Sequence, residues 1–306
     1  MTRASSSTSS LEIPEQWDDY ELLDSGDGMK RERWGNQILI RPEITASWRR
    51  SNLSEWEQWN GWFQSNGNNH HGCWKWKNSP PNPWTLDYKN LRFAIRPTSS
   101  KQVGLFPEQA VNWDWCREKI GAAKRPIKLL NLFGYTGAAS IVAAAAGASV
   151  CHVDASKAMV SWCAKNAEIS NSHNYQKQLS IRFIVDDCYT FIARELRRKN
   201  RYDAIILDPP CFGRALKNEI WKLEDQLLSL LETCKNLLSH QPLFLMMTSY
   251  SAGMSHVKEL LKNIFGESQS STISEVCLGL QGSRDEKIIP CGVTGRWETK
   301  NNKLLT

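Results

Sequence analysis

NLFGYTG, residues 131–137, stands between a short apolar run, Ile127 to Leu130, and an alanine-rich segment, Ala138 to Ala146. The run predicts a strand and the alanines predict a helix. The stretch therefore reads as strand, glycine turn, helix, the opening unit of a nucleotide-binding α/β domain. Gly134 and Gly137 lack a Cβ, so the backbone there can turn tightly and approach a ligand. The helix start leaves N–H groups free beside that turn. Two glycines alone are a weak signal. Asp154 strengthens it, because it closes the next apolar run, ASVCHVD. An acid about 20 positions beyond the turn is where a ribose hydroxyl pair would be held.

Working outward, strands and helices alternate from residue 127. Strands are predicted at 127–133, 148–154, 181–186, 202–208, 242–249, 273–280 and 288–297. Helices are predicted near 136–146, 156–170, 189–199, 218–239 and 254–265. This is a mostly parallel sheet covered on both faces. Only QGSRDE separates the last two strands. A parallel crossover needs about a dozen residues, so the last strand must be antiparallel.

Residues 13–98 have a different texture, rich in Trp and turn residues and poor in helical periodicity. QILIRP and LRFAIRP are strand-length apolar runs, and DSGDG and NSPPNP are turn signals. We expect a small, mainly β N-terminal domain there, a disordered polar tail over 1–12, and the α/β domain over 99–306. WEQWNGW spaces Trp56, Trp59 and Trp62 at one helical turn, which favours core packing over a base-stacking platform. A helix should run from Pro107 to Ile120, with proline early.

At 306 residues, 41% hydrophobic and 23% charged, the chain has an ordinary globular composition and enough length for a sizeable core. No apolar run approaches the roughly 20 residues that span a membrane. MTRASSSTSS has no apolar segment of the secretory kind. Nine cysteines without a C-x-x-C pair suit reduced thiols in a cytoplasmic protein, not a disulfide framework or a metal site. His70, His71 and Cys73 read as a surface loop. The net charge of +6 is carried by the middle of the chain, where residues 101–200 hold 14 Lys/Arg against 8 Asp/Glu. That bias permits a nucleic-acid partner. Arg194, Arg197, Arg198 and Lys199 read equally well as a solvated helix face.

The sharpest motif is ILDPPCFG, 206–213, leaving the fourth predicted strand of the α/β region. Asp208 sits where open α/β sheets place ligands, at a strand's carboxyl end. Pro209 and Pro210 stiffen the loop and remove donors. Such a turn can hold a carboxylate against a flat base, and Phe212 can stack on it.

With these residues in view, 99–297 resembles the class I S-adenosylmethionine-dependent methyltransferases, and more narrowly the large-subunit ribosomal-RNA methyltransferases of the cytosine-5 and guanine-N7 group. NLFGYTG matches the first motif, HVDASK (152–157) the second, VDDC (185–188) the third and DPPCFG the fourth; VGLFPEQA (103–110) stands at the pre-motif loop. The fold implied is Rossmann-like: a mostly parallel seven-stranded sheet with its last strand antiparallel. The resemblance implies S-adenosyl-L-methionine as cofactor and RNA, large-subunit rRNA above all, as partner. It puts Asn131, Phe133, Gly134 and Gly137 along the methionine and ribose, Asp154 on the ribose hydroxyls, and Ala155 and Ser156 against the adenosine. Asp187, with Asp186 as the neighbouring alternative, would take the adenine amino group, and Phe106 and Gln109 would close over the cofactor. Asp208, Pro209 and Pro210 would face both the methyl donor and the base.

Two departures matter. Cytosine C5 needs a cysteine thiolate added to the ring first. The related cytosine enzymes carry it after the fifth strand, where this chain has MMTSYS and places Tyr250. Cys211 is within reach of the site and is otherwise a small filler of a tight loop, so cytosine-5 chemistry is not assigned and guanine N7 is at least as good a target. In the pre-motif loop, EQA replaces the usual DQR, putting Glu108 at the acidic position. Phe212 and Trp221 are candidate stacking surfaces, Trp221 on a predicted helix with core packing favoured. A methyltransferase of a small molecule or protein, and a non-catalytic RNA-binding assembly factor, are the rival readings.

Overall fold

The computed structural model describes residues 10–15, 17–65, 72–173, 178–210, 212–214, 220–250 and 257–300. The chain opens with β1 (Ser10–Glu12) and then builds a five-stranded sheet in sequential order from β2 (Tyr20–Gly26), β3 (Met29–Trp34), β4 (Gln37–Pro42), β5 (Gly61–Ser65) and β6 (Gly72–Trp76). Asp27 and Gly28, at φ 50° and 73°, make the two-residue turn between β2 and β3. Both central residues at positive φ match the twist of the flanking strands. A ribbon of β7 (Thr85–Tyr88) and β8 (Leu91–Ala94) follows.

The α/β region then runs α1 (Ala110–Ala122), β9 (Lys128–Leu132), α2 (Ala138–Ala145), β10 (Ser149–Asp154), α3 (Lys157–His173), β11 (Ile181–Val185), α4 (Cys188–Arg197) and β12 (Ala204–Leu207). After it come the hairpin β13 (Phe212–Arg214) and β14 (Ile220–Lys222), then α5 (Leu223–Leu237), β15 (Phe244–Ser249), α6 (Val257–Phe265), β16 (Ser271–Gln281) and β17 (Ile288–Thr299). The main sheet has the order β1-β16-β17-β15-β12-β9-β10-β11. β17 is antiparallel to both of its neighbours, as the short QGSRDE connection requires. Central strands such as β12 (AIIL) and β15 (FLMMTS) are buried at every residue, because helices cover both faces.

Four expectations are corrected. The sheet has eight strands, not seven, because β1 pairs in parallel with β16. Ser10–Glu12 is therefore sheet edge rather than polar tail: β16 offers an open row of backbone groups, and a weak strand former takes it. The helix expected from 218 begins at Leu223, and Trp221 lies on β14, paired with Gly213. WEQWNGW is not one helix: a 3₁₀ turn over Leu53–Glu57 gives way to β5 at Gly61. Trp56 is core, while Trp59 and Trp62 are only partly covered.

One apolar cluster crosses the division expected at residue 98. Trp17, Tyr20, Trp34, Leu86, Tyr88 and Phe93 pack with Trp113, Ile141, Ala167 and Ile289 in a single core. Hydrogen bonds tie the same seam. Trp162 Nε1 donates to the Ala94 carbonyl at 3.0 Å, and buried Asn166 accepts from Ala94 N at 2.8 Å while donating to the Thr136 carbonyl at 2.9 Å.

Candidate active site

The turn after β9 is held in an uncommon backbone shape. Phe133 and Tyr135 have φ 57° and 51°, and Gly137 has φ 89°. Side chains rarely adopt such angles, and they persist where surrounding bonds over-determine them. Here Gly134 N donates to the Val153 carbonyl at 3.0 Å and Gly137 N to the Gly134 carbonyl at 3.0 Å. Gly134 must be glycine, because a Cβ would lie 2.3 Å from the His152 ring. That ring is fully buried, with Nδ1 2.9 Å from Ser140 Oγ, which also accepts from Asn131 Nδ2 at 2.8 Å. Burial pulls the His152 pKa down to about 4, so it packs as a neutral ring.

Asp154, at the carboxyl end of β10, organises the turn. Its Oδ2 accepts from Tyr135 N at 2.9 Å and its Oδ1 from Ser156 N at 2.8 Å. Desolvation nevertheless raises its pKa, against the two backbone donors. Two donors leave lone pairs for a third partner. Ser156 in turn receives Met159 N at 3.4 Å at the start of α3, and Ala155 lies between the two, half-buried.

Asp208 enters the same cavity from β12. It is half-buried and receives no hydrogen bond from the described residues, and desolvation, then the nearby Glu108 charge, push its pKa up to about 7. Phe106, Gln109, Asn131, Phe133, Gly134, Gly137 and Asp208 all line this one cavity. Asp154 does not line it directly but grips Tyr135, which does. Pro209 is buried behind Asp208 and Pro210 is exposed. Asp187 is the N-cap of α4 and accepts from Thr190 N at 2.9 Å, and Asp186 pairs with Arg194. Neither lines the cavity. Cys211 and the side chains of Phe212 and Trp221 lie outside the described residues.

Sequence reading passed over a polar chain behind the cavity. Arg296 donates to Asn112 Oδ1 at 3.0 Å; Asn112 Nδ2 donates to Gln109 Oε1 at 2.8 Å and to Thr294 Oγ1 at 2.9 Å. Gln109 Nε2 donates to Tyr250 Oη at 2.7 Å, and Tyr250 donates to Glu108 Oε1 at 3.3 Å. A guanidinium only donates, so Arg296 fixes the amide of Asn112, which fixes that of Gln109. Glu108, buried at 6% exposure, has its pKa raised by desolvation. The partners are up to 184 residues apart in sequence, so no local pattern announces them. The Phe106 ring stands 5.5 Å from Tyr135 and 6.1 Å from Tyr250, between the glycine turn and this chain.

Residues 62–243 match the model of a family described as S-adenosylmethionine-dependent methyltransferase. Among curated proteins, the chain is 32% identical to a ribosomal RNA large subunit methyltransferase K/L of Alteromonas mediterranea over 155 residues, 49% of this chain and 20% of that protein. The chain thus spans about a fifth of the length of the curated relatives it matches. Among solved structures, the SAM-dependent methyltransferase from Agrobacterium tumefaciens superposes with a TM-score of 0.85 at 35% identity, over 98% of both chains. A methyltransferase structure from Streptococcus mutans shares the fold, with a TM-score of 0.69 at 17% identity over 93% of this chain and 76% of that one.

Proposed function

The chain belongs to the S-adenosylmethionine-dependent methyltransferase family, and from that premise we propose that it methylates a base of RNA, in large-subunit ribosomal RNA and in the cytoplasm. The observation that carries the reading is the single cavity shared by the glycine turn after β9, the Asp208 turn after β12 and Gln109. The curated relatives, ribosomal-RNA methyltransferases by name, support RNA as the substrate class.

The residues lining the cavity support the methionine side of the cofactor, and Asp154, Ala155, Ser156 and Asp187 would meet the rest of it from beside that lining. Gly137 caps α2, and its carbonyl takes the first intrahelical bond from Ile141 N, so the N–H groups of the first turn are available beside the cavity. Asn131, Phe133, Gly134 and Gly137 would hold the methionine side, Asp154 with Ala155 and Ser156 the ribose, and Asp187 the adenine amino group. Phe106 and Gln109 would close the site. Bound there, S-adenosylmethionine supplies an already activated methyl group, so transfer is an in-line displacement that needs positioning and exclusion of water. Asp208, which receives no hydrogen bond from the described residues, would accept from the base. Pro209 and Pro210 would keep its loop from joining the sheet. No described residue lining the cavity is a cysteine, which favours an acceptor atom with its own lone pair, such as guanine N7.

The N-terminal sheet adds support for RNA. Trp62 on β5 stands opposite Lys75 on β6, and Trp59 meets Trp62 edge-on at 5.8 Å with Lys77 Nζ 4.7 Å from the Trp59 ring centre. Partly exposed rings interleaved with lysines suit stacked bases and their phosphates.

Calorimetry with Asp154→Ala tests the cofactor assignment: affinity should fall at least tenfold, about 1.4 kcal/mol, and unchanged affinity would remove it. Mass-spectrometric mapping of methylated rRNA nucleotides with and without the protein tests the substrate. One site should disappear with the protein, and no difference would refute the RNA reading.

A further inference from the structure

At the other end of the sheet from Asp154 and Asp208, the strand starts surround a second cleft of about 600 Å³. Lys128 opens β9, Arg182 is the second residue of β11, and Arg201 lies in the loop that enters β12. All three line the cleft and are exposed. Arg197, Arg198 and Lys199, at the end of α4 and just after it, are exposed beside them. Among the described residues, only Arg198 of these six has a carboxylate within ion-pairing distance, Glu195 Oε1 at 3.3 Å.

Glu195 is the single acid among the described residues lining the cleft, and it is already spent. It is fully buried, and Oε2 accepts from Tyr202 Oη at 2.7 Å and Asn200 Nδ2 at 2.8 Å. Its work is to anchor the cleft floor, which leaves the mouth cationic. Helix-end electrostatics explains part of the basic cluster, since cations in a last turn complement the macrodipole. That accounts for Arg194 and Arg197 on α4. It does not account for Lys128 or Arg182, which arrive on two separate strands and point the same charge at the same cleft.

The geometry points to this cleft as a docking site for an RNA phosphate backbone, separate from the methyl-transfer site. The inference rests on the RNA reading above. Guanidinium groups without carboxylate partners are the donors that phosphate oxygens take, two hydrogen bonds at a time. The five strand steps from Lys128 to Phe133 put the cleft roughly 15–20 Å from the cofactor turn. A small-molecule acceptor would not touch both places, whereas a folded RNA reaches both.

The test uses the full chain carrying Arg182→Gln, Arg197→Gln and Arg201→Gln, all surface positions. Binding to an unmodified large-subunit rRNA transcript is measured between 50 and 200 mM salt, roughly the range over which counterion release dominates. The variant should bind about tenfold more weakly, and its log–log salt slope should be shallower by about 0.7–0.9 for each phosphate it no longer neutralises. Its S-adenosylmethionine affinity should be unchanged. Equal affinity and equal slope in variant and parent would overturn the cleft inference and leave the RNA reading standing. A parent that binds no RNA would overturn both.

Discussion

Asp208 is a carboxyl half-buried at the end of β12, with no donor from the described residues and with Glu108 nearby, and its pKa stands at about 7. Between its unfolded value and about 7, the folded state keeps a proton that the unfolded state has released. Stability therefore falls as pH rises through that window, and the loss is complete above it. Asp208→Asn removes the titration. Chemical denaturation at pH 4.5 and pH 8 should show the variant gaining on the parent by about 1–2 kcal/mol across that interval, a figure reduced for solvent screening at a half-exposed group. Methyl transfer should change in the opposite sense. If the carboxylate accepts from the base, kcat/KM rises through about pH 7 and the Asn variant lacks that limb. A parent pH profile flat from 6 to 8 would remove Asp208 from the acceptor site.

Elements that were legible in the sequence are those whose burial is local in origin. The central strands β9, β10, β12 and β15 read as largely apolar runs because helices cover both of their faces. The glycine turn and the Asp208 turn were legible because backbone geometry demands particular residues there. β1 was not, since Ser-Leu-Glu has no strand signal of its own and becomes a strand only because β16 leaves an edge to pair with. Nor was the β13–β14 hairpin, in which Trp221 reads as the first turn of a helix until its pairing with Gly213 is seen. Tyr250 stands where the resemblance puts a cysteine, but its bond to Gln109 joins residues 141 apart and has no sequence signature. β1 also reaches the active site, because Glu12 receives Arg296 at 3.0 Å, and Arg296 sets the polarity of the chain through Asn112 to Gln109. Glu12→Gln keeps the strand but removes the carboxylate from a nearly buried guanidinium. A loss of about 1–3 kcal/mol is expected for a buried charge left short of its partner. Urea denaturation measures it, and a change below about 0.5 kcal/mol would mean that the strand alone, not the ion pair, holds the edge.

At the scale of the whole molecule, the question is whether the N-terminal β region and the α/β region unfold separately. Trp113 of α1 lies among Trp17, Tyr88 and Phe93, with ring centres 6.2, 5.3 and 6.4 Å away. Detaching the N-terminal region would expose these rings together with Leu86, Ile141 and Ile289. At about 1.5–3 kcal/mol for each large apolar side chain, the cost is on the order of the roughly 5–15 kcal/mol by which a whole domain is stable. A half-unfolded species is then disfavoured, and the chain should unfold as one unit. Two signals weight the two regions differently. Nine of the 14 tryptophans precede residue 99, so fluorescence reports mainly on the N-terminal region. All six α-helices among the described residues follow residue 109, so helical circular dichroism reports on the other. The urea midpoints from the two signals should coincide, and S-adenosylmethionine should raise both by the same amount, as a ligand binding only the native state does. Because Asn166 joins the Ala94 backbone of β8 to the Thr136 carbonyl of the glycine turn, the cofactor's effect has a direct route into the N-terminal region. Two separated midpoints, with only the dichroism transition moving on cofactor addition, would show that the shared core does not couple the two halves.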